Sequence, residues 1–552
     1  MRKKRILFCS EATFLNTGYA TYTREILQYL YQTDKYELAE LAAYGDSGDR
    51  RSLYIPWKFY GATLPRNASE DQKRLYQSKY SYQFGEYAFH DVCLDFKPDI
   101  VCDIRDFWML EFVERSPYRP FFKWCIMPTV DAYPQARQWI STYQSADACL
   151  TYSDWAGEVL KKQSNGNINY LGSAPPSAHA AYCMIRDKNE SRKYLGIPDH
   201  CKVVGTVMRN QRRKLYPDLF KAFRLLLDKV EDPQNYLLYC HTSYPDMGWD
   251  IPELLQTYNL SSNTVFTYVC TETKKPFASF FQGPHVVSPF TKKLTGIMSN
   301  VKCGIDYPEL ATIMNSFDIY VQYANSEGFG LPQVEAAACG IPVASVNYSA
   351  MESVVKQLGA IPLDVKALYQ EMETGCMRAV PDNQDTAQKL YEFFQQPSFK
   401  RSKLGFDIKQ NFLKYFQWDI SGSVWERYFD SVEILDERET WFSTPRIFKP
   451  ASKPDFKKFS DIQEYATFLI KHVLCKEEKI NTFFHSKLVR DLLYGFTTGI
   501  SGGVYQNDSS MIADGNVHKI SFDFDRAYEY MLSIRLEENA IEQKRAEVFK
   551  LL

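Results

Sequence analysis

ANSEGFGLPQVEAAACG, residues 324–340, is the stretch that decides the fold of this chain. An apolar run typical of a buried strand, IYVQY at residues 319–323, comes directly before it. The glycines of the GFG turn at residues 328–330 let the backbone bend sharply. Pro332 suits the first turn of a helix, and Gly340 suits the residue just past its end. The pattern therefore predicts a strand, a tight turn and a helix that begins at Pro332.

Two glutamates flank the turn. Glu327 precedes it and Glu335 lies one turn into the helix, so both can face one ligand. Carboxylates accept hydrogen bonds from the vicinal hydroxyls of sugars and riboses, and the N–H groups at a helix start favour an anion such as a diphosphate. Taken alone, Glu335 has an alternative role to ligand binding: a glutamate near the start of a helix stabilises the helix dipole.

Short apolar runs alternate with helical patterns on both sides of this stretch. In the first part they are residues 5–9 (RILFC), 99–102 (DIVC), 122–127 (FKWCIM) and 148–151 (ACLT), with a helix at 22–31. In the second part they are residues 202–207 (KVVGTV), 236–240 (YLLYC), 319–323 and 342–346 (PVASV), with a helix at 217–229. This alternation predicts an α/β fold of two Rossmann-like lobes, residues 1–172 and 201–435, joined by a connection at 173–200. Such lobes bind ligands at the carboxyl ends of their strands, hence in the cleft between them.

The last part of the chain, residues 436–552, breaks this rhythm. It is amphipathic and helical over residues 461–496, passes a Gly-rich turn (TTGISGG) and ends in a helix over residues 528–552. We find no chemical motif there. Either an accessory helical extension that packs on the lobes or a module that binds a partner or acceptor fits the pattern.

The composition excludes several classes of protein. A chain of 552 residues exceeds one hydrophobic core, and a net charge of −2 predicts no long-range attraction to nucleic acid or to an anionic membrane. No apolar stretch approaches the roughly 20 residues of a transmembrane helix, and the run in the opening MRKKRILFC is too short for a signal peptide. The 13 cysteines form no CxxC pair, which favours reduced thiols and a cytoplasmic protein.

The spacing of Glu327 and Glu335 around GFGLP resembles the signature of the retaining GT-B glycosyltransferases of family 4, also called glycosyl transferases group 1. The resemblance covers about residues 1–435. It implies that Glu327 contacts the donor sugar and that Glu335 contacts the nucleotide ribose. It also implies that four backbone N–H groups line the sugar and phosphate: those of Gly328, Phe329, Gly330 and Leu331.

A basic turn in the second lobe supports this resemblance independently. In MRNQRRKLYPDLFKAF, Arg209 and Lys214 stand five residues apart, the spacing at which the family places two cations on the donor diphosphate. Two cations in a dry cleft stabilise a leaving diphosphate without a metal. Which of Arg212, Arg213 and Lys214 points inward stays open, and a solvated basic turn is the alternative.

The first lobe supplies candidates at its strand ends. Gly18 stands where the family has a glycine that lets phosphates or acceptor approach the backbone, although a simple turn glycine fits as well. Asp103, Arg105 and Asp106 in DIRDFW are acceptor-side candidates. Asp131 in PTVDAYP stands near the position where many relatives carry a histidine, so the role of this region in the chemistry stays open.

Two further features belong to the second lobe. His241 ends a predicted strand and either touches the donor or is a structural histidine. The insertion at residues 269–304 contains two knuckles, CTETKK and SPFTKK, 18 residues apart. They resemble a zinc ribbon reduced to one cysteine, and a surface hairpin is the alternative. One thiolate cannot hold structural zinc, so we predict no metal. The four ligand positions would be Cys270, Thr273, Ser288 and Thr291.

These observations predict a metal-independent hexosyl- or pentosyltransferase that needs no cofactor besides its co-substrate, a nucleotide-diphosphate sugar. The acceptor is a glycan, a lipid, a protein or a hydroxylated nucleic-acid base, which would have to be extruded from a duplex. A GT-B-fold binding protein without activity is the alternative of another class. The oligomeric state is not specified. The candidate catalytic residues are Glu327, Arg209, Lys214 and Asp131.

Overall fold

The computed structural model describes residues 2–65, 67–184, 186–300, 303–476, 482–498 and 521–551. Within these residues the first lobe is a seven-stranded parallel sheet of order β3-β2-β1-β4-β5-β6-β7. Its strands are β1 (Lys4–Glu11), β2 (Tyr36–Ala43), β3 (Lys58–Gly61), β4 (Ile100–Asp103), β5 (Lys123–Ile126), β6 (Ala148–Thr151) and β7 (Tyr170–Ser173). Its helices are α1 (Gly18–Thr33), α2 (Glu70–Ser78), α3 (Glu86–Phe96), α4 (Phe107–Arg115), α5 (Arg137–Ser145) and α6 (Asp154–Gln163).

Two short helices of the connection, α7 (Ala180–Cys183) and α8 (Lys188–Leu195), lead to the second lobe. Its described part is a nine-stranded sheet with a parallel centre and an antiparallel edge, flanked by a separate hairpin. The strands are β8 (Lys202–Val207), β9 (Tyr236–His241), β10 (Thr264–Cys270), β11 (Pro276–Phe280), β12 (His285–Val286), β13 (Gly296–Met298), β14 (Ile319–Gln322), β15 (Val343–Val346), β16 (Ile361–Leu363) and the hairpin β17 (Val365–Gln370) with β18 (Met377–Pro381). The helices are α9 (Tyr216–Leu227), α10 (Ile251–Thr257), α11 (Tyr307–Asn315), α12 (Leu331–Ala338), α13 (Ala350–Leu358), α14 (Asn383–Gln395), α15 (Ser398–Tyr415) and α16 (Trp418–Ser431).

Helix α16 crosses back to the first lobe, although its residues fall within the range predicted for the second. The Trp425 ring is buried against Phe8 of β1, at 5.6 Å between ring centroids. Its indole Nε1 donates a hydrogen bond to the Tyr22 hydroxyl at 3.0 Å. Burial of its apolar face places α16 against the first lobe, although the helix follows the second lobe in the chain. Residues from the C-terminal side of the second lobe therefore complete the first lobe.

The C-terminal extension packs on the first lobe. It comprises α17 (Ile462–Phe468), α18 (Thr482–Gly495), the strand pair β19 (Thr497–Thr498) and β20 (Ser521–Phe522), and α19 (Phe524–Leu551). Trp441, just before it, is buried in the first-lobe core and donates from Nε1 to the Pro98 carbonyl at 3.1 Å. Lys487 of α18 is buried too, and its Nζ lies 2.8 Å from Glu114 Oε2 of α4. The predicted turn TTGISGG lies largely outside the described residues.

The insertion extends the second-lobe sheet. Strands β11 and β13 both pair antiparallel with β10, and β12 pairs with β13. The two knuckles have matching backbones. The N–H of Lys274 donates to the Cys270 carbonyl at 2.8 Å, and that of Lys292 donates to the Ser288 carbonyl at 2.9 Å. Both lysines have positive φ, 61° and 59°.

The fold class predicted from the sequence, two Rossmann-like lobes with a helical C-terminal extension, is confirmed. The predicted strands recur within about two residues of their expected bounds, and the motif helix is α12. In the part of the chain that the structure describes, we find no helix with the length and apolar character needed to cross a membrane.

Candidate active site

The turn before α12 lies where the two lobes meet. Gly330 adopts a φ of 85°, which glycine reaches without strain, and helix α12 begins directly after it. A Cβ added to Gly328 would come closer than 3.0 Å to the Thr129 side chain of the first lobe. The sequence predicted the turn from its glycines, and the structure adds the reason why position 328 has no side chain.

Glu327 is 5% exposed and is held on several sides. Its carboxylate pairs with the Lys214 ammonium and accepts a hydrogen bond from Gln322 Nε2 at 3.1 Å. Arg213 Nη2 lies 3.8 Å from its second oxygen. The backbone N–H of Glu327 donates to Ser349 Oγ at 3.0 Å. The carboxylate is therefore fixed at the mouth of α12 between cations that a phosphate could also use.

The side chains of the basic turn differ in whether they point into the protein or toward solvent. The Lys214 side chain is 9% exposed, whereas that of Arg212 is 87% exposed, so Lys214 is the cation that points inward. Arg209 forms a two-pronged pair with Asp246 at 2.9 and 3.0 Å, and its side chain is 46% exposed. The structure thus brings Lys214 and Glu327 together and leaves Arg209 on a neighbouring loop.

Glu335 and His241 are two further candidates of the second lobe, and burial shifts the pKa of each. Burial raises the pKa of Glu335 to about 7, and the nearby Tyr182 hydroxyl of α7 opposes this shift. Burial lowers the pKa of His241 to about 4, so its imidazole is neutral at physiological pH. Its Nδ1 lies 3.0 Å from Thr267 Oγ1. A hydrogen bond of this kind within the lobe is what the structural alternative for His241 predicts.

Asp106 is the acceptor-side candidate that reaches the cleft. It is partly exposed, and one of its oxygens accepts a hydrogen bond from the Tyr19 hydroxyl at 2.7 Å. Burial raises the pKa of Asp106, Asp131 raises it further, and Arg213 from the opposite lobe lowers it. Asp106 is therefore near enough to Arg213 of the second lobe for the two charges to interact.

Asp103 and Arg105 do not reach the cleft. Both are fully buried, and Arg105 Nε donates to Asp103 Oδ1 at 2.7 Å. Trp124 Nε1 donates to the other Asp103 oxygen at 2.6 Å. Because both side chains are fully buried and their polar atoms are used inside the lobe, neither is exposed to the cleft, and Asp106 is the acceptor-side candidate that remains.

Gly18 opens helix α1 beside the cleft. It is exposed, and a Cβ added to it would meet no atom within 4 Å. Thr17 caps the helix by accepting a hydrogen bond from the Ala20 N–H at 3.3 Å. The open space gives no steric reason for a glycine at this position, so the approach of a ligand to Gly18 stays a prediction.

Asp131 has a partner that sequence reasoning missed. Arg378 of β18 places Nη1 2.7 Å from Asp131 Oδ2 and Nη2 2.8 Å from Glu371 Oε2, and Nη1 also donates to Ser326 Oγ. The only sequence signal was an arginine within the otherwise apolar run CMRAVP. Among the described residues, no group of three or more His, Cys, Asp or Glu side chains is placed to hold a metal ion.

One sequence family matches part of the chain. Residues 291–399 match the family described as Glycosyl transferases group 1. This segment contains Glu327, Glu335 and Arg378. No curated protein matches the chain.

Solved structures resemble the chain at low sequence identity. A sucrose-phosphate synthase from Thermosynechococcus elongatus has a TM-score of 0.56 at 15% identity, over 78% of this chain and 100% of that one. A glycosyltransferase from Rickettsia africae has a TM-score of 0.53 at 12% identity, over 78% and 98%. Anabaena HepE in complex with UDP and glucose has a TM-score of 0.51 at 12% identity, over 78% and 100%. The chain therefore has the two-lobed GT-B fold of glycosyltransferases, and its second lobe carries the segment that matches glycosyl transferases group 1.

Proposed function

We propose that this protein is a retaining, metal-independent glycosyltransferase that transfers a hexose or pentose from a nucleotide-diphosphate sugar to an acceptor hydroxyl. The observation that carries the proposal is the buried pair of Lys214 and Glu327 at the start of α12. Glu327 lies beside the contact between the lobes and within the segment that matches the family, residues 291–399, and Lys214 reaches it from the basic turn outside that segment. A cation and a carboxylate at a helix N-terminus suit a diphosphate and a sugar, respectively.

Donor binding rearranges this pair. The diphosphate competes with Glu327 for Lys214, and the N–H groups of residues 328–331 and the dipole of α12 favour the same anion. Glu327 is then free to accept hydrogen bonds from sugar hydroxyls. Arg209 reaches the diphosphate by exchanging Asp246 for phosphate oxygens. Glu335, once ionised, accepts hydrogen bonds from the ribose.

The transfer step follows from this arrangement. The bond between the sugar C1 and the diphosphate oxygen breaks, and the acceptor oxygen forms a bond to C1 on the same face. The acceptor proton passes to the leaving phosphate. Lys214 and Arg209 stabilise the negative charge that develops on the leaving group, and water exclusion by the closed cleft strengthens that effect.

The acceptor binds at the carboxyl edge of the first-lobe sheet. Asp106 offers a hydrogen-bond acceptor there, and Trp108 in the first turn of α4 is 44% exposed. An indole presents a flat apolar face with a polar edge, and a carboxylate accepts hydrogen bonds from hydroxyls. The net charge of −2 gives no long-range attraction to a phosphate backbone, so we favour a glycan, lipid or protein hydroxyl over a nucleic-acid base.

A thermal-shift screen with UDP-, GDP- and ADP-sugars tests the donor site. A ligand at 100 times its Kd stabilises the folded state by about 2.7 kcal/mol, so one donor class should raise the melting temperature. Glu327→Gln should keep the fold and abolish turnover of that donor, while Glu253→Gln on the exposed face of α10 should leave it unchanged. Equal activity in both variants would refute the assignment of Glu327.

The other functions predict different results. A binding protein without activity would bind a donor but never release free sugar or glycosylated product. A nucleic-acid glycosyltransferase would bind oligonucleotides in a salt-dependent manner, and binding that is absent at low salt would exclude it.

A further inference from the structure

The Arg378 side chain joins loops from both lobes. It projects from β18 of the second lobe and is 9% exposed. Asp131, 2.7 Å away, belongs to the first-lobe loop that follows β5. Ser326, which accepts a hydrogen bond from the same Nη1, is the neighbour of Glu327 in the chain. One guanidinium thus links the first lobe to the residue that precedes the donor-site glutamate.

Backbone contacts hold the same junction in register. The Met377 N–H donates to the Tyr133 carbonyl at 2.9 Å, and the Ala379 N–H donates to the Asn325 carbonyl at 2.9 Å. These bonds attach β18 to the first-lobe loop on one side and to the donor-site loop on the other. Arg378 lies between them, so its charge acts on both loops at once.

Glu371 completes the cluster. It belongs to the same hairpin and accepts from Arg378 Nη2 at 2.8 Å and from Nε at 3.1 Å. Both N–H groups converge on the one oxygen Oε2, and this contact orients the guanidinium and leaves Nη1 for Asp131 and Ser326. Lysine cannot reproduce the arrangement, because its single ammonium has no fixed fork.

We propose that Arg378 is a positioning residue that couples closure of the two lobes to the placement of Glu327. This inference rests on the proposed function. Arg378 acts through Asp131 and Ser326 rather than on the substrate. When the lobes part, Asp131 leaves both the Arg378 guanidinium and the Ser326 hydroxyl, which lies 3.4 Å from Asp131 Oδ2, so the donor-site loop loses its side-chain contact with the first lobe. When they close, the guanidinium holds Glu327 at the distance from the first lobe that the reaction requires.

Three variants test the coupling: Arg378→Met, Asp131→Asn and the double substitution. We expect Arg378→Met to lower kcat at least tenfold while the donor-induced thermal shift stays within experimental error, because donor contacts belong to the second lobe. The double variant should be no slower than the slower single variant. Arg378→Lys should recover part of the lost kcat. Arg224→Met, which removes a surface pair with Asp228 on α9, is the matched control.

Small-angle X-ray scattering separates this inference from the proposed function. Without any donor, Arg378→Met should increase the radius of gyration relative to the parent protein, while circular dichroism stays unchanged. That result supports the coupling even if no nucleotide sugar is turned over. An unchanged radius of gyration, or strictly additive losses of kcat in the double variant, would overturn it. Asp131→Asn provides the same scattering readout if Arg378→Met does not fold, because it removes the first-lobe charge that pairs with Arg378.

Discussion

The contact between Gly328 and Thr129 offers the sharpest test of the closed cleft. In Gly328→Ala the new Cβ would lie closer than 3.0 Å to the Thr129 side chain, whereas ordinary contact begins at 3.4 Å. The two groups must therefore separate by about 1 Å, either by rotation of the Thr129 side chain or by movement of one of the loops. Forcing extra volume into a packed contact costs about 1–3 kcal/mol.

This cost falls on the closed arrangement of the lobes. Because every 1.4 kcal/mol is tenfold, the closed population should fall about 5- to 150-fold relative to the open one. The same factor should appear in kcat/KM for the donor once a donor is known. The melting temperature should fall as well, since the contact between the lobes is part of the folded structure.

Thr129→Ser provides the matched rescue. It removes the methyl group that the added Cβ meets and retains the hydroxyl that contacts the Tyr19 hydroxyl. Gly328→Ala combined with Thr129→Ser should recover most of the melting temperature and of kcat/KM, and Thr129→Ser alone should change little. If Gly328→Ala is harmless, or if Thr129→Ser does not rescue it, the close contact is not what excludes a side chain at position 328.

Three further predictions concern stability and metal binding. The folded pKa of Glu335, about 7, exceeds its unfolded value of 4.5, so its contribution to stability is complete below pH 4.5 and is lost as the pH rises through 7. Glu335→Gln should therefore be more stable than the parent at pH 8 but not at pH 4.5, as measured by urea unfolding, and a constant difference would contradict this. Lys487→Met should destabilise the first lobe by about 3–5 kcal/mol, because it leaves the Glu114 carboxylate buried without its cation, and Glu114→Gln should relieve most of that loss in thermal unfolding. Cysteines placed in the two knuckles by Thr273→Cys, Ser288→Cys and Thr291→Cys should create, with Cys270, one tetrahedral Zn²⁺ site per chain. Cobalt substituted for zinc should then give a thiolate absorption band, and Cys270→Ser should weaken it. Absence of stoichiometric metal would show that the two knuckles do not converge as in a zinc ribbon.

The sequence alone determined the features that depend on neighbouring residues. The strand, glycine turn and helix of residues 319–340 follow from apolar periodicity and from the positions of glycine and proline, and they recur as β14, the turn and α12. The alternation of strands and helices likewise sufficed for the fold class. The motif spacing also identified Glu327 and Lys214 as candidate site residues, without the contact that joins them in the folded chain.

Strand β2 and helix α16 show what the local pattern does not contain. The β2 sequence YELAELAA is rich in helix-forming alanine, leucine and glutamate, and we assigned no strand to it. It is extended because β1 and β3 pair with it on either side. Helix α16 is recognisable as a helix, but its place on the first lobe depends on an apolar surface that residues far away in the chain create.

Side-chain direction was decided by the tertiary structure. Arg212, Arg213 and Lys214 are equivalent as sequence, and the folded chain turns the lysine inward, at a position where its backbone forms a bridge with Ala324. Arg378 gains a role because folding brings it next to Asp131, more than 200 residues away in the chain. Hydrogen bonds and ion pairs act over a few ångströms in space regardless of separation in sequence. Residue order could therefore indicate the proposed donor site, whereas the contacts between the two lobes required the folded chain.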